Sequence, residues 1–125
     1  MTWRDVPGSW PLRGLFWAAA IFAFVMAVLP HPPRLPGEPS DKIQHVVAFA
    51  TLALLGSFAY TATGPRKLLA RLSLFGAVIE IVQMIPALHR DADVMDWAAD
   101  TIAVLAVLAL LRFIRGRAKG SPASE

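Results

Sequence analysis

Four long apolar runs divide this chain, at 14–29, 43–62, 68–85 and 94–114. Each approaches the ~17–25 residues that cross a bilayer as a helix, the first being the shortest. Within the runs, apolar residues occur on most sides of a helical wheel instead of forming one stripe, which predicts helices surrounded by lipid or protein, without an amphipathic face. Strong breakers separate them. Pro30, Pro32, Pro33, Pro36, Gly37 and Pro39 predict an extended first connection, Gly64-Pro65 breaks the chain after the second run, and Pro86 stops the third. The expected organisation is an all-α, polytopic membrane protein: a single bundle of four transmembrane helices within residues 1–116, then a flexible tail at 117–125.

Composition supports the membrane reading. The chain has 125 residues, of which 56% are hydrophobic and 17% charged, and its mean hydropathy is positive, too apolar for an ordinary soluble domain of this length. Trp3, Trp10 and Trp17 cluster near the start of the first helix and Tyr60 near the end of the second, as interface-seeking aromatics do. The first helix is preceded by a long segment containing Asp5 and lacks a small-x-small cleavage site, so it is expected to remain as a span. Ala19, Ala23 and Ala27, and likewise Ala99 and Ala103, are spaced four apart, a pattern that lets helices approach closely.

Charge distribution orients the bundle. Arg4, Arg13, Arg66, Lys67, Arg71, Arg112, Arg115, Arg117 and Lys119 fall on one side, against Arg34, Lys42 and Arg90 on the other, which predicts cytoplasmic termini in a plasma (inner) membrane. The same asymmetry explains a sequence pI near 10.0. Membrane lipids, with anionic headgroups beside the basic side, are the expected partners; the basic residues flank spans and lack aromatic interleaving, so no nucleic-acid partner is expected. No cysteine is present, which excludes disulfides, thiolate metal sites and cysteine nucleophiles.

Against this apolar background, nine side chains stand out: Asp41, Lys42, His45, Glu80, Gln83, Arg90, Asp93, Asp96 and Asp100. All fall at or just inside the outer helix ends. Ionisable groups in lipid are costly unless they face protein or water, so they are candidates for a shared outward-facing polar pocket. Asp41 and His45 are four apart, Glu80 and Gln83 three, and Asp93, Asp96 and Asp100 three and four, so each set shares a helix face. Structural roles compete with functional ones. Asp41 with Gln44 and Asp93 with Asp96 fit helix N-cap boxes, Lys42 fits a snorkelling cation, and Glu80 fits a structural bond to Arg90 or His45. His31, His89 and Asp91 read as solvated loop residues.

The order and spacing of these groups resembles the VanZ-like family of small bacterial integral membrane proteins. The likeness rests on Asp41-Lys42-x-x-His45 opening a helix, Glu80-x-x-Gln83 closing one, and Arg90-x-x-Asp93-x-x-Asp96 with a polar residue four further on, and covers about 41–107. Departures from the usual pattern are Asp100 where the family has Asn, Ala103 and Val107 where it has Gly, and a turn at Pro86-Ala87-Leu88-His89 that is one residue longer. The resemblance implies a cell-envelope role linked to glycopeptide (teicoplanin) resistance. It assigns no catalytic residue.

The chemistry of the cluster narrows the ligand. Carboxylates outnumber Lys42 and Arg90, so they hold protons or a cation, and Arg90 is the natural fork for an anion. A histidine with several carboxylates is able to hold a divalent metal, but no compact metal signature such as His-x-x-x-His is present, so neither metal nor cofactor is assigned. Ser40, Thr51 and Thr101 lack any nucleophile context. Proton or ion translocation is disfavoured because the ionisable groups stop on the outer half. The leading expectation is therefore an envelope protein whose pocket binds a lipid headgroup or a polyprenyl-linked or peptidoglycan precursor. The alternative is a small intramembrane hydrolase or transferase, metal-dependent or not, acting on a lipid phosphate with Glu80, Asp96 and His45 as acid, base or ligand.

Overall fold

Helix boundaries follow the backbone signals more closely than the hydropathy. The computed structural model describes residues 9–29, 41–88, 90 and 92–120. These form four α-helices, α1 (Ser9–Val28), α2 (Asp41–Ala59), α3 (Pro65–Gln83) and α4 (Val94–Gly120), with a short 3-10 turn at Pro86–Leu88 and no strand among the described residues. The proline-rich connection at 30–40, His31, His89, Asp91 and residues 121–125 lie outside the described residues, as does the side chain of Asp41.

Each departure from the apolar runs has a local cause. α1 starts five residues before its run, and the rigid φ of Pro11 suits a first helical turn, where a missing N–H costs nothing. α2 stops at Ala59, ahead of the expected 62, in a turn closed by Thr63 N–H to Tyr60 O at 2.9 Å. Gly64 is extended and Pro65 opens α3, so Arg66 and Lys67, outside the apolar run, are helical. α4 runs six residues past 114, carrying Arg115 and Arg117 on helix. At 1.5 Å per residue its 27 residues span about 40 Å, longer than a ~30 Å hydrocarbon core.

Three of the helices contain stretches long and apolar enough to cross a membrane: Trp10–Val28, Lys42–Ala59 and Val94–Arg117. α3 is more polar because Arg66, Lys67 and Arg71 occupy its start and Glu80 and Gln83 its end. The bundle is apolar outside as well as within, and its few buried polar side chains are gathered in the interior. Ile21, Leu74 and Ile102 are 62%, 64% and 64% exposed on its outside, while His45, Glu80, Gln83 and Asp100 are buried within.

The helices alternate in direction. α2 packs mainly on α1 and α4, and α3 mainly on α4, around Phe49, Leu52, Ala53, Ile79 and Val104. In lipid, this packing and the interhelical hydrogen bonds, instead of the expulsion of water, hold helices together. Small residues set the approach: Ala20, Ala27 and Ala53 are buried, and a Cβ added to Gly56 would lie 3.0 Å from Leu68 and 3.1 Å from Phe16. At one end Arg13 Nε donates to Ala59 O (3.2 Å), its guanidinium lies over the Tyr60 ring, and Trp17 Nε1 donates to Tyr60 Oη (2.8 Å). Arg66, Lys67, Arg112, Arg115 and Arg117 belong to this end. The opposite end holds the polar cluster.

Candidate functional site

The polar centre is assembled by three helices. α2 contributes His45, one turn inside its start; α3 contributes Glu80, one turn before its end; α4 contributes Asp100, almost two turns after its start. Because α2 and α4 begin where α3 finishes, these offsets bring the three side chains to one level. His45 Nδ1 and Asp100 Oδ2 are 3.3 Å apart, and each of the three residues offers one donor atom within 4.8 Å of the others. All three are buried, Asp100 almost completely.

Glu80 does not pair with Arg90, one of the partners its sequence position suggested. Its Oε2 accepts the backbone N–H of Asp93 at 2.9 Å, while Asp93 Oδ1 accepts the N–H of Met95 at 2.9 Å. This is a capping box split between helices. Asp93 caps α4 as its spacing predicts, but the reciprocal bond to the Asp93 N–H comes from α3, where a local box would use Asp96. Glu80 therefore ties the end of α3 to the start of α4.

Arg90 and Gln83 serve the end of α1. The last carbonyls of a helix lack intrahelical donors, a serious deficit away from water. Gln83 Nε2 donates to Ala27 O at 2.8 Å, and Arg90 Nη1 donates to Leu29 O at 2.9 Å and Met26 O at 3.3 Å. Arg90 is thus at least partly committed to backbone, a use its reading as an anion fork did not include. Lys42 is exposed on the first turn of α2, as a snorkelling cation would be. Asp41 opens α2, with its side chain outside the described residues. Asp96 is half-buried one turn before Asp100.

Several atoms of this centre have no hydrogen-bond partner. Glu80 Oε1, Gln83 Oε1 and Asp100 Oδ1 are all buried and accept nothing. Thr51 and Ser57, by contrast, donate to carbonyls four residues back, Val47 O and Ala53 O, in the usual manner of helix hydroxyls. Ser73 and Thr101 bond each other at 3.0 Å, and Trp97 Nε1 donates to Ser73 O at 3.0 Å, locking α3 to α4.

Beside the centre lies a feature that spacing did not reveal. A cleft of about 350 Å³ runs between α1 and α2, lined by Phe22, Ala23, Met26, Ile43 and Ala48, and it reaches His45 and Arg90. The alanines spaced four apart on α1 are its clearest sequence signal. Ala19, Ala23 and Ala27 all line it, so the small side chains that permit close packing also leave room. The cleft is apolar along most of its wall and polar at one end, the shape of an amphiphile.

No family model, curated protein or solved structure matches this chain.

Proposed function

We propose that this chain is a four-span, VanZ-like protein of the bacterial plasma membrane, with cytoplasmic termini and an outward-facing site for an amphiphilic envelope molecule. The hydrocarbon or polyprenyl chain lies in the α1–α2 cleft, and the polar head, of lipid or cell-wall-precursor type, sits at His45 and Arg90. One observation carries this reading: the apolar cleft ends on those two side chains, beside the buried ionisable centre. Convergent polar groups at the end of an otherwise apolar pocket are the usual form of a small-molecule site.

Membrane placement rests on three apolar spans and on α3 lying among them, its Gln83 reaching the end of α1 and its Leu68 lying against Gly56 of α2. Orientation rests on the basic residues at the opposite end from the cleft's polar mouth. The VanZ-like spacing adds the envelope role and the link to glycopeptide resistance. A hydrolase or transferase acting on a lipid phosphate is the second reading, favoured by the adjoining His45, Glu80 and Asp100; phosphate release from an added polyprenyl diphosphate separates it from binding alone.

Native mass spectrometry of detergent-purified protein tests the binding. Wild-type protein is expected to retain envelope lipid. Ala23→Phe, which fills the cleft, should lose it, while Leu74→Phe on the outer surface should not. Equal retention by all three proteins, or none by wild type, would remove the cleft as a binding site.

A further inference from the structure

His45, Glu80 and Asp100 belong to three helices, yet one ligand-type atom of each lies within 4.8 Å of the others. They are the one such group among the described residues. Proximity by itself has a bland explanation, a histidine–aspartate ion pair beside a protonated glutamate. Two further observations point to a cation site.

The first is the set of vacant acceptors. Glu80 is 8% exposed and Asp100 1%, yet Glu80 Oε1 and Asp100 Oδ1 have no donor, and neither has Oε1 of Gln83, which is 3% exposed. Buried polar atoms left unpaired are rare and costly, and carboxylate oxygens are the costliest of them. A proton on Glu80 shared with Asp100 would pair those two oxygens and leave one charge opposite His45; metal uptake separates that arrangement from a cation site. A divalent cation satisfies two carboxylates at once and neutralises both, which is the condition for keeping such charges out of water.

The second observation is the spacing. The 3.3 Å between His45 Nδ1 and Asp100 Oδ2 is long for a charge-assisted bond, which ordinarily measures ~2.7–2.9 Å. Two donors bound to one tetrahedral ion, each ~2.0–2.1 Å from it, are separated by about 3.3 Å. The third ligand has an oxygen to give. The N–H of Asp93 holds Glu80 Oε2 at 2.9 Å, leaving Oε1 as its free coordinating atom, the kind of outer hydrogen bond that orients carboxylate ligands.

We infer that His45, Glu80 and Asp100 bind one divalent transition-metal cation. One imidazole nitrogen and two carboxylates form a borderline-to-hard donor set, suited to Zn²⁺ or Mn²⁺ and unsuited to Cu⁺. Three protein ligands leave a coordination position for water or for an oxygen of a bound molecule. The site stands whether or not the α1–α2 cleft holds a lipid.

The test uses the full-length protein in detergent, treated with chelator and then dialysed against Zn²⁺ or Mn²⁺, with bound metal counted per chain by mass spectrometry and thermal unfolding followed in parallel. Wild type should bind one ion per chain and melt at a higher temperature with metal than without. Glu80→Gln and Asp100→Asn should each weaken binding by at least about tenfold, a loss that even outer-sphere partners of a metal can cause, and His45→Gln should act alike. Leu74→Phe, on the outer surface and away from all three ligands, should bind as wild type does. Where a ligand variant folds poorly, Co²⁺ added to wild-type protein decides: visible ligand-field absorption that saturates at one equivalent supports the site. Absence of stoichiometric metal in wild type, absence of the Co²⁺ bands, or wild-type affinity in all three ligand variants overturns it.

Discussion

Replacing Arg90 tests how far the polar end of the bundle depends on one side chain. Its Nη1 donates to Leu29 O at 2.9 Å and to Met26 O at 3.3 Å, at the C-terminal end of α1, where no intrahelical donor remains. A hydrogen bond from a charged donor contributes a net ~1.5–3 kcal/mol, and the shorter contact is of this kind. The longer one lies beyond the ordinary ~2.7–3.2 Å range and contributes less. A cation beside a helix C-terminus adds roughly 0.3–1 kcal/mol. Arg90→Ala is therefore expected to cost about 3 kcal/mol on these terms together. Arg90→Lys keeps the charge but replaces the planar fork with a point donor, so its loss should be roughly 1 kcal/mol. Reversible unfolding in mixed micelles, followed by circular dichroism, measures both, and hydrogen exchange over 26–29 should report local loosening in the alanine variant first. An Arg90→Ala protein within ~0.5 kcal/mol of wild type, the noise of a surface substitution, would show that α1 finds other donors and that this account of Arg90 is wrong.

Three other perturbations probe separate links. Asp93→Ala removes the carboxylate that accepts the Met95 N–H and should cost about 1 kcal/mol in chemical unfolding, with Asp93→Asn nearly neutral because an amide oxygen caps as well; equal losses would deny the cap. Gly56→Val forces a branched side chain towards Leu68 and Phe16, already 3.0 and 3.1 Å from the nearest added carbon, and should destabilise by about 1–3 kcal/mol. Gly116→Ala, with nothing within 4 Å, should instead raise the melting temperature slightly, and the reverse ranking would contradict the packing. Because the chain has no cysteine, single Cys substitutions report topology cleanly. Ala92→Cys should react with an impermeant thiol reagent in intact spheroplasts and Pro65→Cys only after lysis; the opposite pattern would invert the proposed orientation.

Helix number and punctuation were legible in the linear pattern because the signals are local. Pro65 preorganises the start of α3 and drives the residue before it to extended backbone, and a long apolar run needs no partner to be helical in lipid. The shared level of His45, Glu80 and Asp100 was legible too, since helix direction alternates along the chain and rise per residue converts sequence offset into depth. Asp93 as a cap follows from its own neighbours.

Pairing within that level was decided by tertiary structure. Glu80 lies 13 residues from the N–H that it accepts, Arg90 61 residues from Leu29, and His45 55 residues from Asp100. Those partners depend on how each helix is rotated about its axis, and helices apolar on most sides carry almost no periodic signal for rotation. Rotation is set instead by contacts such as Gly56 against Phe16 and Leu68, and Trp97 against Ser73. The cleft lined by Ala23 and Ala48, and the meeting of one side chain from each of three helices, likewise belong to the packed bundle. A metal motif in local sequence was absent because the ligands are one residue per helix: the site is a property of the bundle, written in the packing of side chains that no single segment contains.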